Sequence, residues 1–551
     1  MTRTGGQLIV DCLQANGVAR CFGVPGESYL AVLDALHDSP VEFVVCRQEG
    51  GAAMMADAHA RLTGQPGVCF VTRGPGAANA SAGIHISAQD STPVVMFVGQ
   101  VGRAMRGREA FQELDYRAVF GTIAKWVVEI DDAARILELV TRAFATAVSG
   151  RPGPVVVALP EDMLRETADV EKPRPAQRIE PAPVSGDIAA LGEMLARAER
   201  PVAILGGSTW DEASVAAFMR FAEGWALPVG VQFRRQMLFD ALHPCYAGDV
   251  GIGVNPALGA RIRDSDLVIL VGGRFSEIPS SGYTLLDVPQ PKQPLVHVHP
   301  DPEELGRVYQ PTLGVNASAR RFVEALSRLK APNTVAWADE TAKAHAGYLA
   351  WSTPPAEGTG RFVHMGAVIA HLERTVGDDA IFCNGAGNYA TWLHRFRRFR
   401  RFATQAAPTS GSMGYGVPGA VAAKLAFPDR EVIALAGDGC FLMNGQEFAT
   451  AVQHGAAIVV LVVNNGMYGT IRMHQEREYP ARISGTALAN PDFAALARAF
   501  GGHGERVERT EVFPDAFARA RASGKPAIIE IIQDPEAITP TQTLDRIRNR
   551  G

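Results

Sequence analysis

Nine short apolar runs recur along the chain: Val68–Val71, Pro93–Val98, Pro154–Ala158, Pro201–Leu205, Leu267–Val271, Pro294–Val298, Val432–Ala436, Ile458–Val463 and Ala527–Ile531. Each closes on or near Gly, Pro or Asn, and none alternates apolar with polar residues. Amphipathic segments such as Ile188–Ala198 and Phe493–Phe500 lie between them. Strands apolar on both faces must be covered on both faces, the situation of parallel strands flanked by helices. The pattern predicts an α/β protein with more than one doubly wound parallel sheet. At roughly 150 residues per domain, a chain of 551 residues holds about three to four domains. Glu171–Pro183 is charged, proline-rich and aperiodic, which marks a linker. A second transition runs through Ala331–Gly360, with Pro354-Pro355 and Gly358-Thr-Gly360. The expected domains are therefore 1–165, 185–330 and 358–535.

Charge and composition narrow the function. Fifty-three Lys and Arg against 58 Asp and Glu leave a net charge of −5, which gives no electrostatic reason to expect nucleic acid or an anionic membrane as partner. The basic, aromatic stretch His394–Phe402 is then read as surface or subunit-interface packing. No run reaches ~18 consecutive apolar residues, and the start lacks the apolar core of a signal peptide. Seven cysteines, without CxxC pairs or zinc spacing, read as buried reduced thiols. A soluble cytoplasmic enzyme is expected.

The strongest local signal is Gly437-Asp-Gly439, directly after the apolar run Val432–Ala436. A second run, Ile458–Val463, ends in Asn464-Asn465, so that Asn465 lies 27 positions beyond Asp438. If the two runs are near neighbours in a parallel sheet, Asp438 and Asn465 converge at its carboxyl edge, where doubly wound folds bind ligands. A carboxylate, an amide oxygen and a nearby carbonyl are hard ligands suited to Mg²⁺, with phosphate oxygens filling other positions. The glycines let backbone N–H groups approach a diphosphate.

Taken together, GDG, the residues from 440 to 463 and NN resemble the cofactor motif of the thiamine-diphosphate-dependent decarboxylases and carboligases. The resemblance implies three doubly wound domains, in the order pyrimidine-binding, central and diphosphate-binding. It makes Asp438 and Asn465 side-chain metal ligands and the Met467 carbonyl a backbone ligand. Gly437, Gly439, Cys440 and Tyr468 border the cofactor. Gly385-Ala-Gly-Asn-Tyr389 is similar to a stretch touching the diphosphate, which implicates Asn388 and Tyr389, although relatives often have His at the latter position. Gly411-Ser-Met-Gly-Tyr-Gly-Val-Pro418 resembles the segment that bends the cofactor, with Met413 as wedge and the Gly411 carbonyl facing the aminopyrimidine. Near the N-terminus, Phe22-Gly-Val-Pro-Gly26, Arg47-Gln-Glu-Gly50 and Arg73-Gly-Pro-Gly-Ala-Ala-Asn79 resemble the family's pyrimidine-binding domain. There Pro25, Gly26 and Asn79 are cofactor contacts, and Glu49 is the carboxyl at pyrimidine N1′ that activates the cofactor. Because the two cofactor ends belong to different domains, the family shares each site between two subunits. A homodimer or homotetramer is expected.

Within the family the chain looks most like acetohydroxyacid (acetolactate) synthases. Arg108-Glu-Ala-Phe-Gln-Glu113 resembles their GTDAFQE segment, with Lys125-Trp126 following. Phe111, Gln112 and Lys125 are thereby placed among the catalytic residues, on the substrate side. The implied reaction is covalent catalysis on a 2-oxo acid such as pyruvate, with loss of CO₂ and attack on a second carbonyl. Three positions depart from the synthase pattern: Arg73 replaces a small residue, Glu27 a glycine and His474 a tryptophan. Gly272-Gly-Arg-Phe275 resembles a strand end that contacts FAD in the synthases, whereas Gly248–Asn255 departs from their flavin stretch, so FAD stays open. Also open are a 2-hydroxyacyl-CoA or oxalyl-CoA lyase, a sulfoacetaldehyde acetyltransferase, a cyclic dione hydrolase and a non-catalytic partner with the same fold.

Overall fold

The computed structural model describes residues 2–355 and 361–549. The Gly358-Thr-Gly360 stretch and the expected start of the third domain at 358 lie outside the described residues. Three six-stranded parallel sheets follow one another along the chain. The first holds β1 (Arg20–Gly23), β2 (Glu42–Val45), β3 (Gly67–Val71), β4 (Val94–Gln100), β5 (Trp126–Glu129) and β6 (Val155–Pro160). The second holds β7 (Pro201–Leu205), β8 (Val229–Gln232), β9 (Tyr246–Val250), β10 (Leu267–Val271), β11 (Leu295–His299) and β12 (Leu313–Asn316). The third holds β13 (Ile381–Asn384), β14 (Gln405–Ala406), β15 (Val432–Gly437), β16 (Val459–Asn464), β17 (His503–Val507) and β18 (Ala527–Ile532). All nine apolar runs of the sequence lie on these strands or overlap them, and β3, β4, β6, β7, β10, β11 and β15 are buried along their whole length.

The strand orders decide where ligands can sit. The first sheet runs β2-β1-β3-β4-β6-β5 and the third β14-β13-β15-β16-β18-β17, the same order in both. The direction of winding reverses between β1 and β3, and again between β13 and β15. At such reversals the loops leave on opposite faces and open a crevice at the carboxyl edge. The middle sheet runs β9-β8-β7-β10-β11-β12, the dinucleotide-binding order, with its reversal between β7 and β10.

The first and third sheets share one apolar cluster, which extends from Phe22 and Val44 to Ala420 and Ile458. Helices α1 (Glu49–Thr63) and α2 (Gly74–Asp90) cover the first sheet. Helix α3 (Gly416–Ala426) of the third packs against α1. Both α1 and α3 are rich in Ala and Gly, which allows close backbone approach, and both are buried almost all round. A buried polar knot joins all three sheets. Arg61 pairs with Asp57 and Asp90 and donates to the Ala407 carbonyl at 2.8 Å. Tyr415 Oη donates to Asp57, Thr409 N to Asp90, and Arg235 to the Asp90 carbonyl.

Beyond the sheets, Thr2–Thr4 pairs antiparallel with Thr167–Asp169, so the first unit continues past residue 165. A hairpin (Ala537–Thr539, Gln542–Thr543) and the helix Leu544–Arg548 extend the third unit past 535, and Arg548 forks onto Glu476. Residues 171–183 carry neither helix nor strand.

Candidate active site

At the reversal between β13 and β15 lies a cavity of about 230 Å³. Its walls are formed by residues between 386 and 533 alone. The loop after β13 supplies Gly387, Asn388 and Tyr389. The loop after β15 and helix α4 (Asp438–Asn444) supply Gly437, Asp438, Gly439 and Cys440. Asn465, Met467 and Tyr468 enter after β16, and Gly411 and Met413 from the loop before α3. The structure thus brings together every site residue expected in the C-terminal third.

Asp438 is buried at the head of α4, and its carboxylate is held from three sides. Oδ1 accepts from Gly439 N at 2.9 Å, while Oδ2 accepts from Gly466 N at 2.9 Å and Asn490 Nδ2 at 2.7 Å. Burial raises its pKa, against the pull of these donors. Asn465 Oδ1 accepts from Met467 N at 3.3 Å, which turns the loop so that the Asn465 amide and the Met467 backbone share one side of the cavity. Across the cavity, Asn388 N donates to Thr470 Oγ1, whose hydroxyl donates back to Asn388 Oδ1 at 3.0 Å. Tyr389 is buried, and its ring lies over two glycines, since a Cβ on Gly387 or Gly437 would meet it at 2.7 and 2.9 Å. Its hydroxyl meets Cys440 Sγ at 3.3 Å, and Cys440 Sγ also accepts from Gly414 N. Tyr389 and Cys440 thus form the floor. Gly439 is needed for a similar reason, because its Cβ would stand 2.5 Å from the Tyr468 ring.

Asn490 was not anticipated from the sequence. It links Asp438 to Asn464 (Nδ2 to Asn464 Oδ1, 3.0 Å), and its own Oδ1 is buried without a hydrogen-bond partner. It stands 52 positions after Asp438 with no motif around it. Thr470 was missed in the same way.

Of the other expected residues, Pro25, Gly26, Glu49, Asn79, Phe111 and Gln112 lie around the reversal of the first sheet. Glu49, at the N-terminus of α1 and 9% exposed, accepts from Asn79 Nδ2 at 2.9 Å. Thr72, just after β3, ties the edge together. A Cβ on Gly26 would stand 2.6 Å from it, and Gly76 lies between Thr72 Cγ2 and Glu49 Oε1. Pro25 is exposed beside Gly26. The loop over 106–115 docks through Gly74 N, which donates to the Gln112 carbonyl at 3.0 Å. Gln112 and Glu109 take positive φ (66° and 51°), and Phe111 projects outward, 74% exposed. Lys125 is elsewhere. Its Nζ donates to the Thr146 and Ser149 carbonyls at the end of helix Ile136–Val148, facing a cleft of about 490 Å³ between the first and middle sheets. Loss of solvation there lowers its pKa to about 8. His474 is exposed on helix α6 (Gly469–Glu478), counting α5 as Glu447–Gln453.

Three family models cover most of the chain. They are the N-terminal TPP binding domain of the thiamine pyrophosphate enzymes over residues 3–119, their central domain over 188–326 and their C-terminal TPP binding domain over 385–531. The chain belongs to the thiamine pyrophosphate enzyme family. Its similarity to acetolactate synthase large subunits runs nearly end to end. It is 34% identical to that of Parasynechococcus marenigrum, covering 96% of this chain and 87% of the relative. It is 30% identical to acetolactate synthase isozyme 2 large subunit of Escherichia coli, covering 97% of each. A probable acetolactate synthase large subunit of Methanocaldococcus jannaschii is 31% identical over 97% of this chain and 93% of its own. The protein is thus a thiamine-diphosphate-dependent enzyme, acetolactate synthase-like along its length.

Proposed function

We propose that the enzyme decarboxylates a 2-oxo acid, with pyruvate as the reference substrate, and joins the remaining acyl unit to a second carbonyl compound. The bond between the carboxylate and the carbonyl carbon breaks and CO₂ leaves. A new carbon–carbon bond forms to the acceptor carbonyl, whose oxygen takes up a proton. The observation that carries this reading is the glycine-lined cavity at the β13/β15 reversal, with Asp438 and Asn465 converging on it. Thiamine diphosphate, when bound, supplies the nucleophilic carbon and the electron sink for cleaving and forming these bonds.

The residues present fit that cofactor and a magnesium ion. Among the described residues no cluster of three His, Cys, Asp or Glu side chains could hold a metal. The ion would therefore rest on Asp438, the Asn465 amide and the Met467 carbonyl, an oxygen set suited to Mg²⁺. The unpartnered Asn490 Oδ1 beside Asp438 marks a place still short of a donor or a cation. Gly437 and Gly439 keep the α4 amides open to phosphate, and Asn388 borders it. Met413 would be the wedge between the cofactor's two rings, and the Gly411 carbonyl would face the aminopyrimidine. On the other half-site, with Pro25, Gly26 and Asn79 beside it, Glu49 holds a proton at pyrimidine N1′. Phe111 and Gln112 border the substrate, and Lys125 acts from farther out.

Glu49 contributes nothing to the cavity of its own chain, which favours a homodimer, alone or paired into a tetramer, with residues 1–165 of one subunit facing 358–535 of the other. In the middle unit, residues 185–330, a nucleotide such as FAD fits the crevice of about 460 Å³ at the β7/β10 reversal. Gly207, Gly272 and Gly273 border it, and the buried Gln232 Nε2 there lacks a partner. All seven cysteines are unpaired and buried, which agrees with a reducing cytoplasm, and no described helix is long and apolar enough to cross a membrane. The test is incubation with thiamine diphosphate, Mg²⁺ and pyruvate or other 2-oxo acids, with products identified by NMR. Carboligation products support the reading, and cofactor binding without turnover of any 2-oxo acid refutes it.

A further inference from the structure

Two positions that depart from the synthase pattern, Glu27 and Arg73, are 46 residues apart in sequence and form one ion pair in the structure. Arg73 opens α2 just after β3, and Glu27 follows the Pro25-Gly26 turn after β1. Together they occupy the two sides of the first sheet's reversal, where ligands of such sheets bind. Arg73 is buried, donating through Nη1 to Glu27 Oε1 at 2.9 Å and through Nη2 to Glu161 Oε2 at 2.6 Å. Its charge is therefore committed to two carboxylates. The group of one guanidinium and two carboxylates carries a net single negative charge.

The geometry also gives this charge a direction. Glu161 is mostly covered, whereas the Glu27 side chain is 67% exposed and fixed at one oxygen only. Glu27 follows Gly26, which adjoins Thr72, and Thr72 in turn adjoins Gly76 beside Glu49. An exposed carboxylate thus stands at the reversal of the first sheet, with one of its oxygens held by Arg73.

We propose that Glu27, held by Arg73, is a specificity-determining residue that favours an uncharged carbonyl acceptor over a second 2-oxo acid. The inference rests on the carboligase reading above and adds the class of the acceptor. A like charge near the acceptor's carboxylate raises the barrier for an anionic acceptor and leaves an aldehyde untouched, a difference of about tenfold for one partly screened pair. Donor effects cancel when two acceptors compete for the same acyl-loaded enzyme, because the product ratio reads the second step alone.

The experiment supplies holoenzyme with pyruvate as donor and with pyruvate and acetaldehyde competing as acceptors, and measures acetolactate against acetoin. The wild type is expected to favour acetoin. Glu27→Gln and Glu27→Gly should each shift the ratio toward acetolactate by about tenfold, while thiamine diphosphate affinity by calorimetry and the unfolding temperature stay at wild-type values. An unchanged product ratio in both variants overturns the proposal. So does a loss of cofactor affinity that accounts for the shift, since Glu27 would then act on the cofactor. A wild type that binds cofactor yet consumes no 2-oxo acid marks instead the failure of the carboligase reading.

Discussion

Glu447 offers a direct test of how the third unit holds the activating end of the first. It lies fully buried in α5, and its carboxylate crosses to the segment just before Glu49. Oε1 accepts from Arg47 N at 3.0 Å and Gln48 N at 2.9 Å, while Oε2 accepts from Thr450 Oγ1 at 2.6 Å. These amides precede α1 and have no turn of helix behind them, so Glu447 supplies the partner that the helix start lacks. Glu447→Ala leaves two part-buried donors without their partner, at about 1–3 kcal/mol each. Exchange of the Arg47 and Gln48 amides with deuterium should then quicken by roughly 5- to 150-fold, since about 1.4 kcal/mol is a factor of ten. Glu447→Gln keeps an acceptor oxygen for both amides, so most of the protection should survive. Burial raises the Glu447 pKa, so the ionised carboxylate costs stability as pH rises through that value, and the wild type should lose ground to the Gln variant over that interval. The measurement is hydrogen exchange with fragmentation that resolves residues 46–50. Unchanged exchange at Arg47 and Gln48 in the Ala variant would refute the capping argument.

Three further outcomes follow from the two half-sites. Asp438→Ala should weaken thiamine diphosphate binding in the presence of Mg²⁺ by at least about a hundredfold in calorimetry, and unchanged affinity would remove it from the metal site. Glu49→Gln should keep cofactor affinity while turnover falls by roughly 10²- to 10⁴-fold, whereas a purely structural role would lower both together. The rate of Lys125 acylation, followed by peptide mass spectrometry, should rise with a midpoint near pH 8, set by loss of solvation and opposed by Asp301. A midpoint at the ordinary lysine value of about 10.4 would contradict that.

What the sequence makes legible depends on how far apart the interacting groups lie. Nine of the twelve interior strands announce themselves, because being covered on both faces demands continuous apolar residues, as in Val94–Val98 or Val459–Val463, whereas the four-residue interior strands Arg20–Gly23, Val229–Gln232 and Ile381–Asn384 do not. Every edge strand escapes the same reasoning. Glu42–Val45, Trp126–Glu129, Tyr246–Val250, Leu313–Asn316, Gln405–Ala406 and His503–Val507 are short, polar or half-covered, and only their pairing identifies them. In the site, Asp438 and Asn465 were found because each closes a recognisable strand. Asn490, in a loop, carries its meaning only through its contact with Asp438. Glu447 and Arg47 are 400 positions apart, and no local pattern joins them. Glu27 and Arg73 were each conspicuous alone, but only the fold shows that one holds the other.

The repeated strand order has a consequence for assembly. The first and third sheets carry their reversals at corresponding places, and on the function proposed above each would present half of a cofactor site, an activating carboxyl on one and a phosphate cradle on the other. In one chain these halves do not meet, because the start of α1 abuts α5 while the cradle is walled only by residues after 385. Two chains related by a two-fold axis would place each edge on the other's cradle, giving two equivalent sites. Mixing variants decides the matter. Glu49→Gln chains retain the cradle and Asp438→Ala chains retain the activating carboxyl, so a mixed dimer has one intact site and one doubly defective site. With random reassociation after mild dissociation, half the dimers are mixed and about a quarter of wild-type activity returns. If each chain completed its own site, the mixture would stay as inactive as its components, and the shared-site reading would fall.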